Sequence, residues 1–340
     1  MKQVAVFQKE PIIEYTIENE VLKVNALNFG GTISGIYWKE DGTNMVASYQ
    51  NPQDYVTQGG PYLNALVGPV AGRIAYGSYE LNGIHQLSIN NGAHHLHGGA
   101  TGVSKQLFEV TQISDTLLHF HLSTSHENDG YPAGEYKYDI EYELMDNALT
   151  IRYTCVPPAL SLLNMTNHIY FNLNGMKDSI RHHQLYLPST RKCRIEAECH
   201  PSEIYNIEKG SAYDFTTLTD IEENLCKGDP EFTYTLQYDT PFLLDKSTFT
   251  LYDPSSSHQV DITTDQNSVV VYSANWFDEA LTFENGSHGY PMCCIALETQ
   301  DIPNGINIEN ADTHQVFDSE HPYTQTTTYC FSKGEKHGNH

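Results

Sequence analysis

The sequence predicts an all-β fold, a large antiparallel β-sandwich with a few short helices. Helical periodicity is scarce in its 340 residues, whereas short runs of β-branched and aromatic residues recur at intervals of about ten residues. Turn-forming pairs separate these runs. They are Gly30-Gly31, Asp41-Gly42, Asn82-Gly83, Asn91-Gly92, Asp129-Gly130, Asn174-Gly175 and Asn285-Gly286. Many short strands joined by tight turns are typical of a sandwich or a barrel.

The clearest strand pair lies near the middle of the chain. Residues 136–144 alternate between apolar and polar side chains, a turn follows at Asp146-Asn147, and residues 148–154 alternate again. Side chains two apart share one face of a strand, so this pattern predicts a hairpin with one apolar face.

Three further segments indicate strands of two kinds. Residues 108–113 and 117–123 also alternate, and in the second of them His119 and His121 are expected on the solvent side. Residues 268–273 form a more continuous apolar run, which is expected of a strand covered on both faces.

Helical and domain signals are few. Short helices are expected near residues 52–55 and 220–224. No linker or abrupt change of composition divides the chain, which predicts a single β-sandwich domain over residues 1–332. The polar residues 333–340 are expected to form a C-terminal tail.

The charge of the chain excludes several classes of partner. Its formal net charge is −25, with 18 Lys and Arg against 43 Asp and Glu. Nucleic acid and anionic membrane surfaces would be repelled. The sequence contains no phosphate-binding GxxxxGK[ST] loop, and a neutral small-molecule ligand is therefore favoured over a phosphorylated one.

The cellular compartment follows from two further absences in the sequence. No apolar run reaches the roughly 18 residues of a membrane span, and Lys9, Glu10 and Pro11 interrupt any signal-peptide core. The seven cysteines include no CxxC pair, which favours reduced thiols over disulfides or a zinc ribbon. We therefore expect a cytoplasmic protein; the sequence does not indicate an oligomeric state.

The segment 166–173 carries the first candidate catalytic residue. It places His168 near Asn167 and Asn172 in an otherwise apolar, aromatic, strand-like run. A ring nitrogen that titrates near neutrality and is held in a sheet suits acid catalysis. The alternative is a hydrogen-bonded core histidine without a catalytic role.

A second histidine cluster lies at His94, His95 and His97, directly before Gly98-Gly99. Closely spaced histidines can bind a metal ion, but no carboxylate is near them in the sequence, and we expect no metal site. The glycine pair indicates a backbone that bends tightly beside a ligand. His97 is the candidate binding residue, with a structural histidine as the alternative.

Three charged residues complete the candidate set. Glu298 ends an apolar run just before a turn, where burial would raise its pKa and make it a better base. Arg73 follows another apolar run and either pairs with a carboxylate or offers its donors to a polyhydroxylated ligand. Asp239 is a turn former or a ligand-binding carboxylate. Glu298 and Asp239 could also be the two acids of a glycosidase.

Taken together, these motifs resemble the aldose 1-epimerase (galactose mutarotase) family, and the match runs in order along nearly the whole chain. The histidine and glutamate motifs are the specific ones. The matching segments are Gly72-Arg73-Ile74, Asn90-Asn91-Gly92, Leu96-His97-Gly98-Gly99, Asp129-Gly130-Tyr131-Pro132, Thr166-Asn167-His168, Tyr170-Phe171-Asn172-Leu173, Tyr213-Asp214-Phe215, Tyr238-Asp239 and Leu297-Glu298-Thr299-Gln300 with Pro303.

The resemblance implies a mutarotase-like β-supersandwich that needs no cofactor and interconverts the anomers of a free aldohexose. By the family's pattern, Glu298 matches the base that deprotonates the C1 hydroxyl, and His168 matches the acid that protonates the ring oxygen. His97 and Arg73 match residues that bind and orient the sugar, and Asp239 matches an acceptor of its hydroxyl hydrogen bonds. A tyrosine could supply a stacking wall, but the sequence does not indicate which one.

The chain departs from the family's pattern around the predicted sugar site. Pro69 and Gly72 stand where an arginine and an asparagine are usual. Residues 100–104 lack the common Gly-Phe-Asp/Glu step, and Asn304-Gly305 replaces the usual Asp-Ala. These changes bear on substrate preference. A relative that acts on a hexose 6-phosphate or another sugar, or a non-catalytic carbohydrate-binding protein, remains an alternative.

Overall fold

Antiparallel β-structure dominates the computed structural model, which describes residues 1–334. The first half of the chain contains the strands β1 Lys2–Phe7, β2 Glu10–Glu18, β3 Leu22–Leu27, β4 Ile33–Trp38, β5 Thr43–Asn44, β6 Leu66–Val67, β7 Arg73–Ile74, β8 Ser78–Glu80, β9 Ile84–Gln86, β10 His95–Leu96, β11 Glu109–Ser114, β12 Leu117–Thr124, β13 Tyr136–Met145, β14 Ala148–Val156, β15 Ser161–Leu162, β16 Thr166–Asn167 and β17 Tyr170–Phe171. The second half contains β18 Gln184–Tyr186, β19 Arg191–Ile195, β20 Pro201–Asn206, β21 Thr219–Asp220, β22 Asp239–Leu243, β23 Thr248–Tyr252, β24 His258–Thr264, β25 Ser268–Tyr272, β26 Ile295–Gln300, β27 Val316–Phe317 and β28 Tyr323–Lys333.

Helices are few and short, as predicted. They are α1 Asp54–Thr57, α2 Ile221–Leu225 and α3 Phe232–Thr235, with single 3-10 turns at Ala75–Gly77, Val103–Lys105, Glu127–Asp129, Ile180–His182 and Gly305–Asn307. The first two agree with the helices expected near residues 52–55 and 220–224. The Asp220 side chain caps α2 by accepting a hydrogen bond from the backbone N–H of Glu223.

Two large sheets form the sandwich. One has nine strands in the order β11-β12-β13-β14-β28-β24-β23-β18-β21, and the other has six in the order β17-β26-β25-β22-β19-β20. A third sheet of five strands contains β1 to β5 in chain order. One hydrophobic core joins inward side chains of both large sheets, such as Ile140 and Ile151 from the first and Val269 and Leu297 from the second. The predicted all-β antiparallel sandwich is confirmed.

The strand patterns read from the sequence are also confirmed. Strands β13 and β14 pair antiparallel from Lys137 with Val156 to Met145 with Ala148, and the side chains of β13 alternate between buried and partly exposed. In contrast, four of the five residues of β25 are buried, as expected of a strand that is covered on both faces.

The two faces of the six-stranded sheet have different surroundings. Because side chains alternate along a strand, the odd-numbered Ile295 and Leu297 of β26 enter the main core, whereas Glu298 and Gln300 point to the opposite face. In the neighbouring strands Val270 pairs with Glu298, and Asp239 pairs with Tyr272. This register gathers polar side chains on one outer face of the sheet.

The segment 166–173 is not one continuous strand, and this part of the prediction is wrong. Strand β16 pairs with β6, whereas β17 pairs with β26 in the six-stranded sheet. Between them, the backbone N–H of His168 donates to the carbonyl of Ala65, and the carbonyl of His168 accepts from Asn64. His168 therefore lies where the chain passes from one strand partner to another.

The C-terminal end of the chain is only partly described. Lys333 closes β28 and its Nζ lies 2.7 Å from Oδ2 of Asp41. The remainder of the tail expected over residues 333–340, after Gly334, lies outside the described residues. Every helix within residues 1–334 is too short or too polar to span a bilayer.

Candidate active site

A cavity of about 850 Å³ opens on the outer face of the six-stranded sheet. All five residues predicted from the sequence line it: Arg73, His97, His168, Asp239 and Glu298. They come from four separate parts of the structure, because β22 and β26 supply the carboxylates, the β7–β10 ribbon supplies Arg73 and leads into His97, and the β16–β17 junction supplies His168.

Glu298 and His168 are in direct contact. Oε1 of Glu298 lies 3.4 Å from Nε2 of His168, and each side chain is about 5 % exposed or less. Two groups that can give or accept a proton thus lie in contact, almost completely buried, on the wall of the cavity. This is the arrangement that proton transfer between two neighbouring oxygen atoms of a ligand requires.

The environment of Glu298 raises the pKa of its carboxyl to about 8. Burial is the main cause, because it disfavours the charged form, and the negative charge of Asp239 adds to it. The positive charge of Arg73 and a hydrogen bond from Gln300 act in the opposite direction. The raised pKa expected for this residue is therefore confirmed in direction and cause.

His168 differs from the sequence-based expectation. Burial lowers the pKa of its imidazole to about 3, instead of leaving it near neutrality. Its ring stacks on Tyr170 at 4.8 Å between centroids and lies edge-on to Tyr272 at 6.2 Å. Apolar ring faces cannot solvate a cation as water does, so the single proton of the pair favours the carboxyl group.

Arg73 lies near a carboxylate and also lines the cavity. Its NH1 lies 3.6 Å from Oδ2 of Asp239, and its Nε donates to Oδ1 of Asn91 at 3.1 Å. Burial raises the pKa of Asp239, and the guanidinium counteracts this. Because both side chains also face the cavity, they form a matched donor and acceptor for a polar ligand.

His97 is held on both sides by the backbone of Gly72. Its Nδ1 accepts a hydrogen bond from the Gly72 N–H at 3.1 Å, and its own N–H donates to the Gly72 carbonyl at 3.2 Å. Since Nδ1 is an acceptor, the neutral ring carries its proton on Nε2. Burial keeps the pKa of His97 well below its usual value, so the ring is a neutral donor near His168.

The other histidines of this cluster have different surroundings. His95 is a buried structural residue, with Nδ1 against the carbonyl of Ser88 at 2.8 Å and Nε2 against the hydroxyl of Tyr131 at 2.9 Å. His94 lies near the cavity rim, where the fold brings a distant carboxylate, Glu198, to 3.8 Å from its Nε2.

His94, Glu198 and His200 could together offer three ligand atoms to a metal ion. However, Nδ1 of His94 accepts a hydrogen bond from the backbone N–H of Tyr76 at 3.1 Å, which requires the proton of the neutral ring to be on Nε2. A metal ion bound at Nε2 would need an unprotonated Nε2. The proton of the neutral ring would then be on Nδ1, which could no longer accept the hydrogen bond from Tyr76. The hydrogen bonding of His94 therefore suits a donor better than a metal ligand.

Gln300 and Trp276 are among the cavity residues that sequence reasoning did not single out. Gln300 is fully buried two positions after Glu298, and the spacing of two along a strand was the signal that could have identified it. Trp276 is 60 % exposed on the cavity wall between Asn275 and Phe277, which are both buried. Nothing in the sequence indicates that this aromatic side chain is exposed between two buried neighbours.

Comparisons with known proteins identify the family and the fold of the chain. The sequence profile of the family described as Aldose 1-epimerase matches residues 14–330. Galactose mutarotase of Sus scrofa is 27 % identical over 329 residues, 94 % of each chain, and aldose 1-epimerase of Haemophilus influenzae is 31 % identical over 254 residues, 72 % of this chain and 73 % of the other. The crystal structure of galactose 1-epimerase from Lactobacillus acidophilus superimposes with a TM-score of 0.86 at 25 % identity, covering 98 % of both chains. An aldose epimerase homologue from C. elegans shares the fold, with a TM-score of 0.87 at 24 % identity over 95 % of this chain and 100 % of that chain.

Proposed function

The chain belongs to the aldose 1-epimerase family, and from this we propose that it interconverts the α and β anomers of a free aldohexose such as galactose or glucose. The observation that carries the proposal is the contact of Glu298 with His168 in a cavity that also contains Arg73, His97 and Asp239. An acid and a base in contact are what anomer exchange needs, because a proton leaves one oxygen of the sugar and another arrives at its neighbour.

In the proposed reaction the pair carries one proton throughout. The carboxylate of Glu298 removes the proton from the C1 hydroxyl while protonated His168 gives its proton to the ring oxygen. The C1–O5 bond breaks, C1 becomes an aldehyde, and Glu298 is left protonated beside neutral His168. Rotation about C1–C2 and closure on the other face reverse both transfers, so protons and electrons balance.

Burial favours the state of the pair that is reached after ring opening, in which Glu298 is protonated and His168 is neutral. Glu298 holds its proton up to about pH 8, and His168 is neutral above about pH 3. Between these values the pair contains the one proton that the cycle needs, although it resides mostly on the carboxyl group. Each positioned group can contribute about 10²–10⁴-fold to the rate.

The remaining residues are proposed to bind the sugar. His97 and Arg73 can donate to the ring oxygen and the hydroxyls, and Asp239 can accept from a hydroxyl. Such a set of residues distinguishes well between sugars that differ in a hydroxyl group, because a buried donor or acceptor left without its hydroxyl partner costs binding free energy. His97 lies beside His168, with 5.4 Å between ring centroids, so its Nε2–H is available close to the reacting atoms.

The charge of the cavity supports a neutral sugar over a hexose 6-phosphate. Among the described residues that line it, Arg73 is the single lysine or arginine, and Asp239 is already near it. Four acidic side chains line the same cavity: Glu198, Asp239, Asp278 and Glu298, of which Glu298 holds its proton up to about pH 8. A phosphate dianion would meet repulsion from the ionised carboxylates without a free cation to bind it.

Polarimetry on freshly dissolved α-galactose and α-glucose tests the proposal. We expect the protein to accelerate the approach to the equilibrium rotation, and the variants Glu298→Gln and His168→Asn to lower kcat/KM by about 10²–10⁴-fold. The exposed Glu320→Gln is the matched control and should retain the wild-type rate. If the wild-type protein leaves the spontaneous rate unchanged but binds the sugars calorimetrically, it is a binding protein and the proposal fails.

A further inference from the structure

The two oxygen atoms of the Glu298 carboxylate have different neighbours. Oε1 lies 3.4 Å from Nε2 of His168, and Oε2 lies 3.3 Å from Nε2 of Gln300. Glu298 and Gln300 point to the same face of β26 because they are two residues apart. The side chain of Gln300 is completely buried, and its backbone carbonyl accepts a hydrogen bond from Ser268 at 2.7 Å.

The orientation of the Gln300 amide follows from its neighbour Asn164. The Asp301 backbone N–H donates to Oδ1 of Asn164 at 2.9 Å, and the Asp301 carbonyl accepts from Nδ2 of Asn164 at 2.9 Å. Backbone donors and acceptors cannot exchange roles, so these two bonds fix which end of the Asn164 amide is nitrogen.

The fixed orientation of the Asn164 amide determines the orientation of the Gln300 amide. Nδ2 of Asn164 also lies 3.4 Å from Gln300 and can only donate, so the Gln300 atom that faces it must be the acceptor Oε1. Nε2 of Gln300 must then face Glu298. The chain of donors from the Asp301 backbone through Asn164 and Gln300 ends on one carboxylate oxygen.

We infer that Gln300 is a positioning residue, which holds Oε2 of Glu298 with its amide N–H so that Oε1 alone is presented to His168 and to the sugar. Asn164 secures this by fixing the Gln300 amide, although it does not itself line the cavity. The inference rests on the proposed function, since it assigns Oε1 as the atom that removes the C1 hydroxyl proton.

The same bond sets how readily Glu298 becomes charged. A donor on Oε2 stabilises the carboxylate against burial and against Asp239. The other titratable or charged groups that face Glu298 are His168, Arg73 and the phenols of Tyr170 and Tyr272. None of these contacts is made through Gln300, so its removal should leave them in place.

The variant Gln300→Met removes the donor and keeps the length of the side chain. We expect kcat/KM on the neutral plateau to fall about tenfold and the alkaline limb of its pH profile to move up by about one pH unit, because both changes express the same loss of carboxylate stabilisation. Asn164→Asp should shift the limb in the same direction, because an added carboxylate oxygen facing Gln300 would turn its amide round.

The matched control is Gln325→Met, which also removes a buried amide. This amide donates a hydrogen bond of 3.0 Å to the Thr299 carbonyl and does not line the cavity. Circular dichroism and urea unfolding show whether each variant is folded. A loss of activity in Gln300→Met without movement of the alkaline limb, or an equal shift in Gln325→Met, would overturn the inference.

An infrared titration keeps the test independent of activity. The C=O stretch of a protonated carboxyl group that is present in the wild type and absent from Glu298→Gln reports Glu298 directly. Its midpoint should move to higher pH in Gln300→Met, and an unchanged midpoint would overturn the inference even if no sugar is turned over. Failure of the proposed function alone would instead appear as a wild-type protein that titrates as expected but accelerates no sugar.

Discussion

Nε2 of His168 lies 3.4 Å from Oε1 of Glu298, at a point where both side chains are almost completely buried. The contact joins a junction between two short strands to a residue within strand β26 of the six-stranded sheet. Burial opposes charge on both groups, which raises the pKa of one and lowers the pKa of the other. The pair therefore carries one proton over most of the pH range.

The first prediction concerns the pH dependence of catalysis. Because kcat/KM reports ionisations of the free enzyme, it should be nearly constant through neutrality and fall as the pH rises above about 8, where Glu298 gives up the last proton of the pair. Polarimetric rates corrected for spontaneous mutarotation at each pH would measure this. A descending limb near pH 6, as for an ordinary histidine, would contradict the assignment.

The second prediction uses the influence of Asp239 on Glu298. The negative charge of Asp239 raises the pKa of Glu298, so Asp239→Asn should move the alkaline limb to lower pH and also raise KM through loss of a hydroxyl acceptor. Asp278→Asn is the matched control, since Asp278 is an exposed carboxylate on the same cavity wall. Equal shifts in the two variants would show a general charge effect instead of a specific neighbour.

Local patterns predicted a large part of this fold. The hairpin of β13 and β14 and the doubly covered β25 could be read from alternation, because side-chain period and burial are properties of one segment. The position of Glu298 at the end of an apolar run could likewise be read from that one segment of the sequence. The five candidate residues could be named for the same reason, since each lies in a recognisable short motif.

What the sequence could not predict depends on the partners of each segment. The break at His168 exists because β16 and β17 pair with strands of different sheets, and nothing within residues 166–173 indicates that change. The low pKa of His168 is caused by burial, and the rings that bury it, such as Tyr170 and Tyr272, pack on it only in the folded protein. The approach of Glu198 to His94 likewise arises from long-range packing.

The third prediction concerns stability. The carboxyl of Glu298 has an ordinary pKa of 4.5 and a folded-state pKa of about 8, so between these values the folded protein holds a proton that the unfolded chain releases. Stability therefore falls as the pH rises through this window, by about 1.4 kcal/mol per pH unit at most. Glu298→Gln does not titrate and lacks this loss.

Urea unfolding of both proteins at about pH 5 and about pH 8.5 measures the effect. The stability of Glu298→Gln relative to the wild type should increase between the two conditions, by an amount on the order of a few kcal/mol. The comparison at the lower pH is the internal control, because there both side chains are neutral in the folded state. An advantage of Glu298→Gln that stays constant with pH would contradict the prediction.

The fourth prediction explains one departure from the family's pattern. Gly72 has φ of +73°, and a Cβ added to it would lie 2.6 Å from Cβ of Pro303. The asparagine usual in the family therefore has no space here, and the Gly72 backbone instead holds His97 by two hydrogen bonds. Gly72→Asn should destabilise the protein by about 1–3 kcal/mol, as overpacking generally does, and raise KM by displacing His97.

Gly42 provides a matched control for this substitution. It also has φ of +73°, but a Cβ added to it would meet no atom of the described residues within 4 Å. Asparagine tolerates this left-handed conformation better than most residues, so Gly42→Asn should change the stability by less than about 1 kcal/mol. Unfolding in urea at one pH, with KM measured for both variants, separates the two effects. If Gly72→Asn proves as stable and as active as Gly42→Asn, contact with Pro303 is not what requires glycine at this position.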